Sequence, residues 1–293
     1  MGKVKIGSHT LELSNEDKIL FPSVKITKGD LIDYYKKIGK RMMTFLKDRP
    51  ISMIRYPSGI DRQGFFQKDA GDYFPKWIKT KKIKKQGGVH TNYVIVNNLA
   101  TLIYLANQAC ISPHIWLSKT DKLNYPDRII FDLDPSGVSF SKVRKAALLL
   151  KERVEEIGLK PFAMITGSKG IHVIIPIKRK YNFDYVRNYA KNLVKPLIEK
   201  HKKLLTLEIR KEKRKGLIFI DTIRNAFGQT TVAPYGVRAK KGASIATPVS
   251  WQEVQDSKLK PNKYNIKNIF KHLSKIEDPW KNISKSSASL PKL

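Results

Sequence analysis

Phe131-Asp132-Leu133-Asp134-Pro135-Ser136-Gly137 closes the run Arg128-Ile129-Ile130, and Asp221 closes a second apolar run, Leu217-Ile218-Phe219-Ile220. Each run has the length and composition of a buried strand, in which residues i and i+2 point to the same face. Asp132 and Asp134 therefore share a face at a strand end, and Asp221 is placed to bring a third carboxylate. Mg²⁺ and Mn²⁺ take oxygen ligands and bridge carboxylates to substrate phosphates, the arrangement used in two-metal phosphoryl transfer. Taken alone, Asp-Pro-Ser-Gly reads as well as a turn with acidic flanks. The rest of the chain decides between the two.

The 293 residues carry 57 Lys+Arg against 25 Asp+Glu, a formal charge of +32. That excess points to an anionic polymer, nucleic acid or an acidic membrane surface, although a solvated Lys-rich surface has the same sign. Acidic residues are scarce, so three of them at strand ends need a reason. Twelve Tyr, twelve Phe and four Trp supply rings for the core and for base stacking. Cys110 is the only cysteine, which excludes a disulfide framework and a Cys-based zinc site. Its neighbours Ala106 to Ile111 mark it as a small core residue. The N-terminus lacks an apolar signal core, and no run approaches the ~18 residues of a membrane span, so the chain reads as soluble and intracellular.

The length admits one large domain or two. After a basic strand over Lys3–Ile6, the spacing of Leu31, Tyr34, Tyr35, Ile38 and Met42 predicts a helix over Gly29–Phe45. Thr27 is its cap, with Asp30 in the first turn. Strands over Ile51–Tyr56 and Tyr93–Val96 flank the very basic Lys76–Lys85, and a helix over Leu99–Gln108 follows. The second half reads strand Arg128–Leu133, helix Phe140–Ile157, strands Phe162–Thr166 and His172–Ile177, helix Phe183–Lys203 and strand Leu217–Asp221. Mixed elements without strict βαβ alternation predict an α+β fold with a largely antiparallel central sheet flanked by helices. The expected organisation is one domain over 1–283. It comprises an N-terminal part (about 1–110), a catalytic part (about 111–250), helical patches (about 251–283) and a low-complexity tail, 284–293, that frays.

Ile165-Thr166-Gly167-Ser168-Lys169-Gly170-Ile171-His172-Val173 packs hydroxyls, a cation and an imidazole into one strand-turn-strand. Glycines there let the backbone approach phosphate oxygens, but a hairpin turn would use them too, and the spacing is not that of a Walker A loop. His114 in Ser112-Pro113-His114-Ile115-Trp116 is a nucleotide candidate or a structural residue, and Trp116 packs in the core or beneath a base. In Gly64-Phe65-Phe66-Gln67-Lys68, adjacent rings on a strand point to opposite faces. One is therefore expected in the core, leaving the other to stack on a base. Arg224 and Arg238, in the segment after Asp221, are candidate clamps for primer or template phosphate and for a triphosphate, respectively.

Phe131-Asp-Leu-Asp-Pro, Thr166-Gly-Ser-Lys-Gly-Ile-His and Asp221-Thr-Ile-Arg-Asn-Ala-Phe-Gly-Gln-Thr-Thr-Val-Ala-Pro-Tyr-Gly-Val-Arg resemble the polymerase domain of bacterial and archaeal DNA ligase D, in the archaeo-eukaryotic primase superfamily. The resemblance extends through Leu13-Ser-Asn-Glu-Asp-Lys-Ile-Leu-Phe-Pro, Phe65-Phe-Gln-Lys and His114-Ile-Trp to Thr247-Pro-Val-Ser-Trp, nearly the whole chain in order. It implies a primase-polymerase fold and a template-directed, ribonucleotide-preferring nucleotidyltransferase of non-homologous end joining. Such an enzyme fills gaps and extends broken ends with two Mn²⁺ or Mg²⁺ ions, beside Ku and a DNA ligase, in a prokaryotic cytoplasm at the nucleoid. Carried onto this chain, Asp132, Asp134 and Asp221 bind the metals. Thr166 (commonly Ser in the family), Ser168, Lys169, His172, His114 and Arg238 surround the incoming nucleotide. Asn15, Lys18 and Lys28 hold a downstream 5′-phosphate, and Phe65 or Phe66 stacks at the DNA end. Family members are often fused to ligase and phosphoesterase modules, so this chain is a stand-alone polymerase or an excised domain. Three rivals remain: a replicative-type primase, disfavoured because those subunits commonly carry a zinc element; a metal nuclease; and a non-catalytic end-bridging module.

Overall fold

The computed structural model describes residues 2–84 and 88–293. It divides into two compact units, the first from Met1–Asp121, Thr230–Ile245 and Asn265–Lys267, the second from Lys122–Gln229, Ala246–Tyr264 and Asn268–Leu293.

The first unit opens with two antiparallel hairpins, β1 (Gly2–Ile6) with β2 (His9–Leu13) and β3 (Ile19–Phe21) with β4 (Ile26–Thr27). Helix α1 (Lys28–Leu46) follows. Its start is the one expected: Thr27 Oγ1 accepts from the Asp30 N–H at 3.1 Å, while Asp30 Oδ2 accepts from the Thr27 N–H at 2.8 Å. This reciprocal capping box satisfies two donors that a helix start otherwise leaves open. The helix buries Leu31, Tyr34, Tyr35, Ile38 and Met42, and the Tyr35 hydroxyl donates to the Ile111 carbonyl at 2.7 Å. It packs on α2 (Leu99–Asn107) at Gly39, where a Cβ would overlap Leu99 Cδ1. The sheet of this unit runs β15 (Thr230–Val232), β9 (Cys110–Trp116), β5 (Pro50–Arg55), β8 (His90–Ile95) and β7 (Thr80–Lys84), with β6 (Phe65–Gln67) on β5, antiparallel throughout.

Two of these strands depart from the expected organisation. Cys110–Trp116, to which the sequence assigns no element, is a strand because it pairs with β5 on one side and β15 on the other. Five residues of the basic connection form β7, because Ile83 faces inward among lysines and the backbone pairs with β8. Lys85, the end of that connection, lies outside the described residues.

The second unit holds a six-stranded sheet in the order β13 (Leu205–Thr206), β14 (Ile218–Asp221), β10 (Arg128–Pro135), β12 (Ile171–Pro176), β11 (Phe162–Ile165) and β16 (Thr247–Val249). Every pairing is antiparallel except β13 with β14. Helices α3 (Phe140–Glu156) and α4 (Phe183–Lys200) pack against it and each other, and short helices α5 (Trp251–Gln255) and α6 (Ile269–Leu273) complete the unit. Phe131, Leu133, Ile218 and Ile220, which alternate with the carboxylates and their neighbours, are fully buried. The antiparallel α+β reading matches this architecture, with the strands divided between two larger sheets and two hairpins. The stretch 284–293, read from composition as frayed, makes backbone contacts: Lys178 N–H donates to the Ala288 carbonyl at 2.9 Å and Leu290 N–H to the Tyr181 hydroxyl at 3.1 Å.

Candidate active site

Strand register assembles the carboxylates. Asp132 on β10 lies directly opposite Asp221 on β14 and opposite His172 on β12, so one row crosses three strands as His172–Asp132–Asp221. Directly opposed residues of an antiparallel pair share a face about 5 Å apart, and Asp134 joins that face by its i+2 spacing. His172 Nε2 stands 3.5 Å from Asp132 Oδ1. Burial pushes the Asp221 carboxyl above the ordinary carboxylate range; Arg224 opposes this shift and Asp132 adds to it. Two carboxylates in such a setting repel each other and favour a shared cation.

Arginines hold the carboxylates here. Arg224 Nε lies 3.3 Å from Asp221 Oδ2 and 3.7 Å from Asp132 Oδ2, because a 3₁₀ turn over Ile223–Asn225 aims it back at the strand end. Arg224, the candidate for primer or template phosphate, is thus paired with the carboxylates. Arg214 donates from Nη1 to Asp134 Oδ2 at 3.0 Å and lies over the Phe219 ring at 4.0 Å. Arg214 is one of several cations in the segment Arg210–Lys215, and the fold selects it. Among the described residues no three His, Cys, Asp or Glu are grouped as a formed metal site. The donor chemistry nonetheless fits a hard divalent cation: carboxylate oxygens on one face, no thiolate, and a guanidinium where two carboxylates jointly attract positive charge.

The loop after β11 approaches this row closely. Gly167 turns it at φ 66, the left-handed region that favours glycine. Thr166 Oγ1 accepts from the Ser168 N–H at 3.3 Å and the Gly170 N–H at 3.2 Å, which leaves Ser168 half-buried and Lys169 exposed. Thr166 itself is buried, so its oxygen serves the loop. A Cβ at Gly170 would overlap the Leu133 carbonyl oxygen between the two β10 carboxylates.

The other expected residues lie in the first unit. His114 sits on β9 opposite Ser52 and Val232, its ring edge-on to Phe66 at 6.1 Å. Arg238 is half-buried, with its N–H donating to the Ser244 carbonyl at 2.7 Å. Asn15, Lys18 and Lys28 are drawn together by backbone bonds, Lys18 N–H to the Asn15 carbonyl at 3.1 Å and Lys28 N–H to the Lys18 carbonyl at 2.8 Å. Lys28 is buried, and its ammonium donates to Ser14 Oγ at 3.2 Å and the Asn107 carbonyl at 3.1 Å. Burial lowers its pKa, against Glu16, which raises it. Phe65 and Phe66 are 46% and 47% exposed. This corrects the expectation that one of them is core: β6 is a three-residue strand on the sheet's margin, and both rings stay about half exposed. Arg55 and Lys68 lie over the two rings at 5.3 and 5.6 Å. Trp116 is a core residue, buried edge-on to Tyr93.

A carboxylate row on a largely antiparallel sheet, bordered by a Gly-Ser-Lys-Gly loop, accords with the primase-polymerase class that the sequence motifs resemble. Residues 27–280 match the family described as LigD, primase-polymerase domain, and the chain belongs to that family. It is 30% identical over 253 residues to the multifunctional non-homologous end joining protein LigD of Mycolicibacterium smegmatis, covering 85% of this chain and 33% of that protein. It is 29% identical over 272 residues to the bifunctional non-homologous end joining protein LigD of Bacillus subtilis, covering 92% and 43%. The chain thus spans a third to less than half of these relatives. The structure superposes on the polymerase domain from Mycobacterium tuberculosis ligase D in complex with DNA with a TM-score of 0.88. That match has 27% identity and covers 94% of this chain and 99% of the other. Among the described residues no helix is long and apolar enough to cross a membrane.

Proposed function

We propose that the chain is a template-directed nucleotidyltransferase that fills gaps and extends ends in double-strand break repair by non-homologous end joining. The observation that carries this reading is the opposed pair Asp132 and Asp221, with Asp134 on the same face, in a chain of this family. Two Mn²⁺ or Mg²⁺ ions would acidify the attacking 3′-hydroxyl and neutralise the leaving pyrophosphate. Asp132, Asp134 and Asp221 would hold them, which requires Arg214 and Arg224 to release the carboxylates. His172 would orient Asp132. Lys169 would offset charge on the triphosphate, and His114 and Arg238 are each candidates for a nucleotide contact. Asn15, Lys18 and Lys28 would take a downstream 5′-phosphate, and Phe65 or Phe66 would stack at the DNA end. Ku and a DNA ligase, on another chain or a further segment, would supply end capture and sealing in a prokaryotic cytoplasm. Ribonucleotide preference needs a polar partner for the 2′-OH. We assign it to the hydroxyls of Thr166 and Ser168. Because Thr166 also staples its loop, Ser168→Ala is the cleaner probe, and unchanged sugar discrimination would reject the assignment.

The test is single-nucleotide extension on short-gapped DNA bearing a downstream 5′-phosphate, with Mn²⁺ and ribo- or deoxyribonucleotides. Asp134→Ala is the matched control, its side chain being 45% exposed, with circular dichroism to check that the variant is folded. Templated addition that favours ribonucleotides, needs the 5′-phosphate and disappears in the variant supports the reading. A folded wild type that binds DNA and adds nothing overturns it.

A further inference from the structure

Beside the end of β14 the second unit opens a groove of about 380 Å³, large enough for one nucleotide-sized ligand. One wall is α4, which contributes Arg187, Asn188 and Lys191; the other walls include Ile209, Phe219 and Ile223. Phe219 and Ile223 each lie two residues from Asp221 in the sequence, so the groove borders the carboxylate row. Its chemistry is two-sided. Ile209 is 62% exposed and Ile223 38% exposed, an apolar surface that a soluble unit leaves open at a cost unless something covers it. Arg187 and Lys191, one helical turn apart, share an edge of α4, and exposed Lys195 continues the row by another turn. Successive cations therefore follow each other by about 6 Å along the helix. The segment bearing Ile209 adds Arg210, Lys211 and Lys213. Arg187 has an acidic neighbour, Asp184 at 3.3 Å, but that exposed pair gives up little when a phosphate competes.

Cations along one edge and aliphatic surface along the other match a single nucleic-acid strand, with phosphates on the helix and a base or sugar against Ile209 and Ile223. We infer that this groove holds a nucleotide of the strand being extended, upstream of its 3′ end. This deepens the proposed polymerase reading and rests on it for the strand's identity. Binding of a single strand to the groove does not depend on that reading. A mononucleotide shares the same chemistry, and the experiment separates the two.

The experiment compares wild type, Arg187→Ala/Lys191→Ala, Ile209→Ser and the charge-matched control Lys142→Ala/Lys145→Ala, all as the full chain. Fluorescence anisotropy with a single-stranded oligonucleotide is read across a salt series, and extension kinetics are read on primed template. Losing two phosphate contacts should lower the salt slope by about 1.4 and weaken strand binding about tenfold. The control pair should leave the slope in place. Ile209→Ser should weaken binding about fivefold without changing the slope, since it removes apolar surface and no charge. In extension assays both groove variants should raise KM for primed DNA and leave KM for the nucleotide unchanged. Equal losses in the groove and control pairs would overturn the inference in favour of diffuse attraction. A rise confined to the nucleotide's KM would overturn it in favour of a mononucleotide site. If wild type binds the strand with the predicted slopes but extends nothing, the groove stands and the polymerase reading falls.

Discussion

Asn225 should prove as consequential as the carboxylates although it touches none of them. The ladder between β10 and β14 ends where Asp132 faces Asp221, and the chain then turns away. The next β10 residue due a partner on that side, Ile130, finds it in a side chain. Asn225 Oδ1 accepts from the Ile130 N–H at 2.8 Å, and Nδ2 donates to the Ile130 carbonyl at 2.7 Å and the Thr222 carbonyl at 3.0 Å. One amide thus stands in for a strand residue, fully buried. Asn225→Ala orphans both backbone groups of Ile130, which are shut off from water. At roughly 1–3 kcal/mol for each unsatisfied buried group, the variant should lose about 2–6 kcal/mol. Asn225→Asp should not restore the loss, because it sets a carboxylate against two carbonyls. Urea denaturation followed by circular dichroism measures the change, and hydrogen exchange at the Ile130 amide localises it. The same turn carries Arg224 and the Ile223 N–H that donates to Asp221 Oδ1 at 2.8 Å, so extension should also fall under conditions where the variant is folded. A loss below about 0.5 kcal/mol, with Ile130 still protected, would refute the reasoning.

Gly170→Ala should abolish extension even where the protein folds, since the added methyl must displace the Leu133 carbonyl and with it Asp132 or Asp134; full activity in a steady-state assay would contradict this. Burial lowers the pKa of His272, while Glu253 3.5 Å away raises it and Lys263 lowers it. With the folded value below the unfolded value near 6.5, its contribution is present above that pH and lost as pH falls through the folded value. His272→Gln should therefore flatten the acid side of a stability–pH curve, and an unchanged slope would remove His272 as the cause. Burial pushes the Cys110 thiol up to about 12, so alkylation at pH 8 should require unfolding, as a mass-spectrometric labelling time course would show.

Much of the carboxylate-bearing strand pair was legible because it rests on local rules. Period-2 alternation in Arg128–Asp134 puts two aspartates on one face whatever surrounds them. The α1 start is likewise local, since Thr27 and Asp30 satisfy each other across three residues. Phe65 and Phe66 show where such rules stop: alternation predicts opposite faces, but only the presence or absence of a neighbouring layer decides whether either is covered. β9 shows the same, since partners distant in the chain, β5 and β15, make it a strand.

The sequence by itself determined the residue types, the paired carboxylates of one strand, the glycine-rich loop and the excess of positive charge, because each is fixed within a few residues of chain. Tertiary structure alone decided that Asp221 faces Asp132, that His172 flanks the pair from the other side, and that Asn225 completes the ladder. It also selected Arg214 from a run of similar cations to hold Asp134. These are questions of strand register across long stretches of chain. A slip of one residue would send each side chain to the opposite face, and the packing of the whole sheet sets that register.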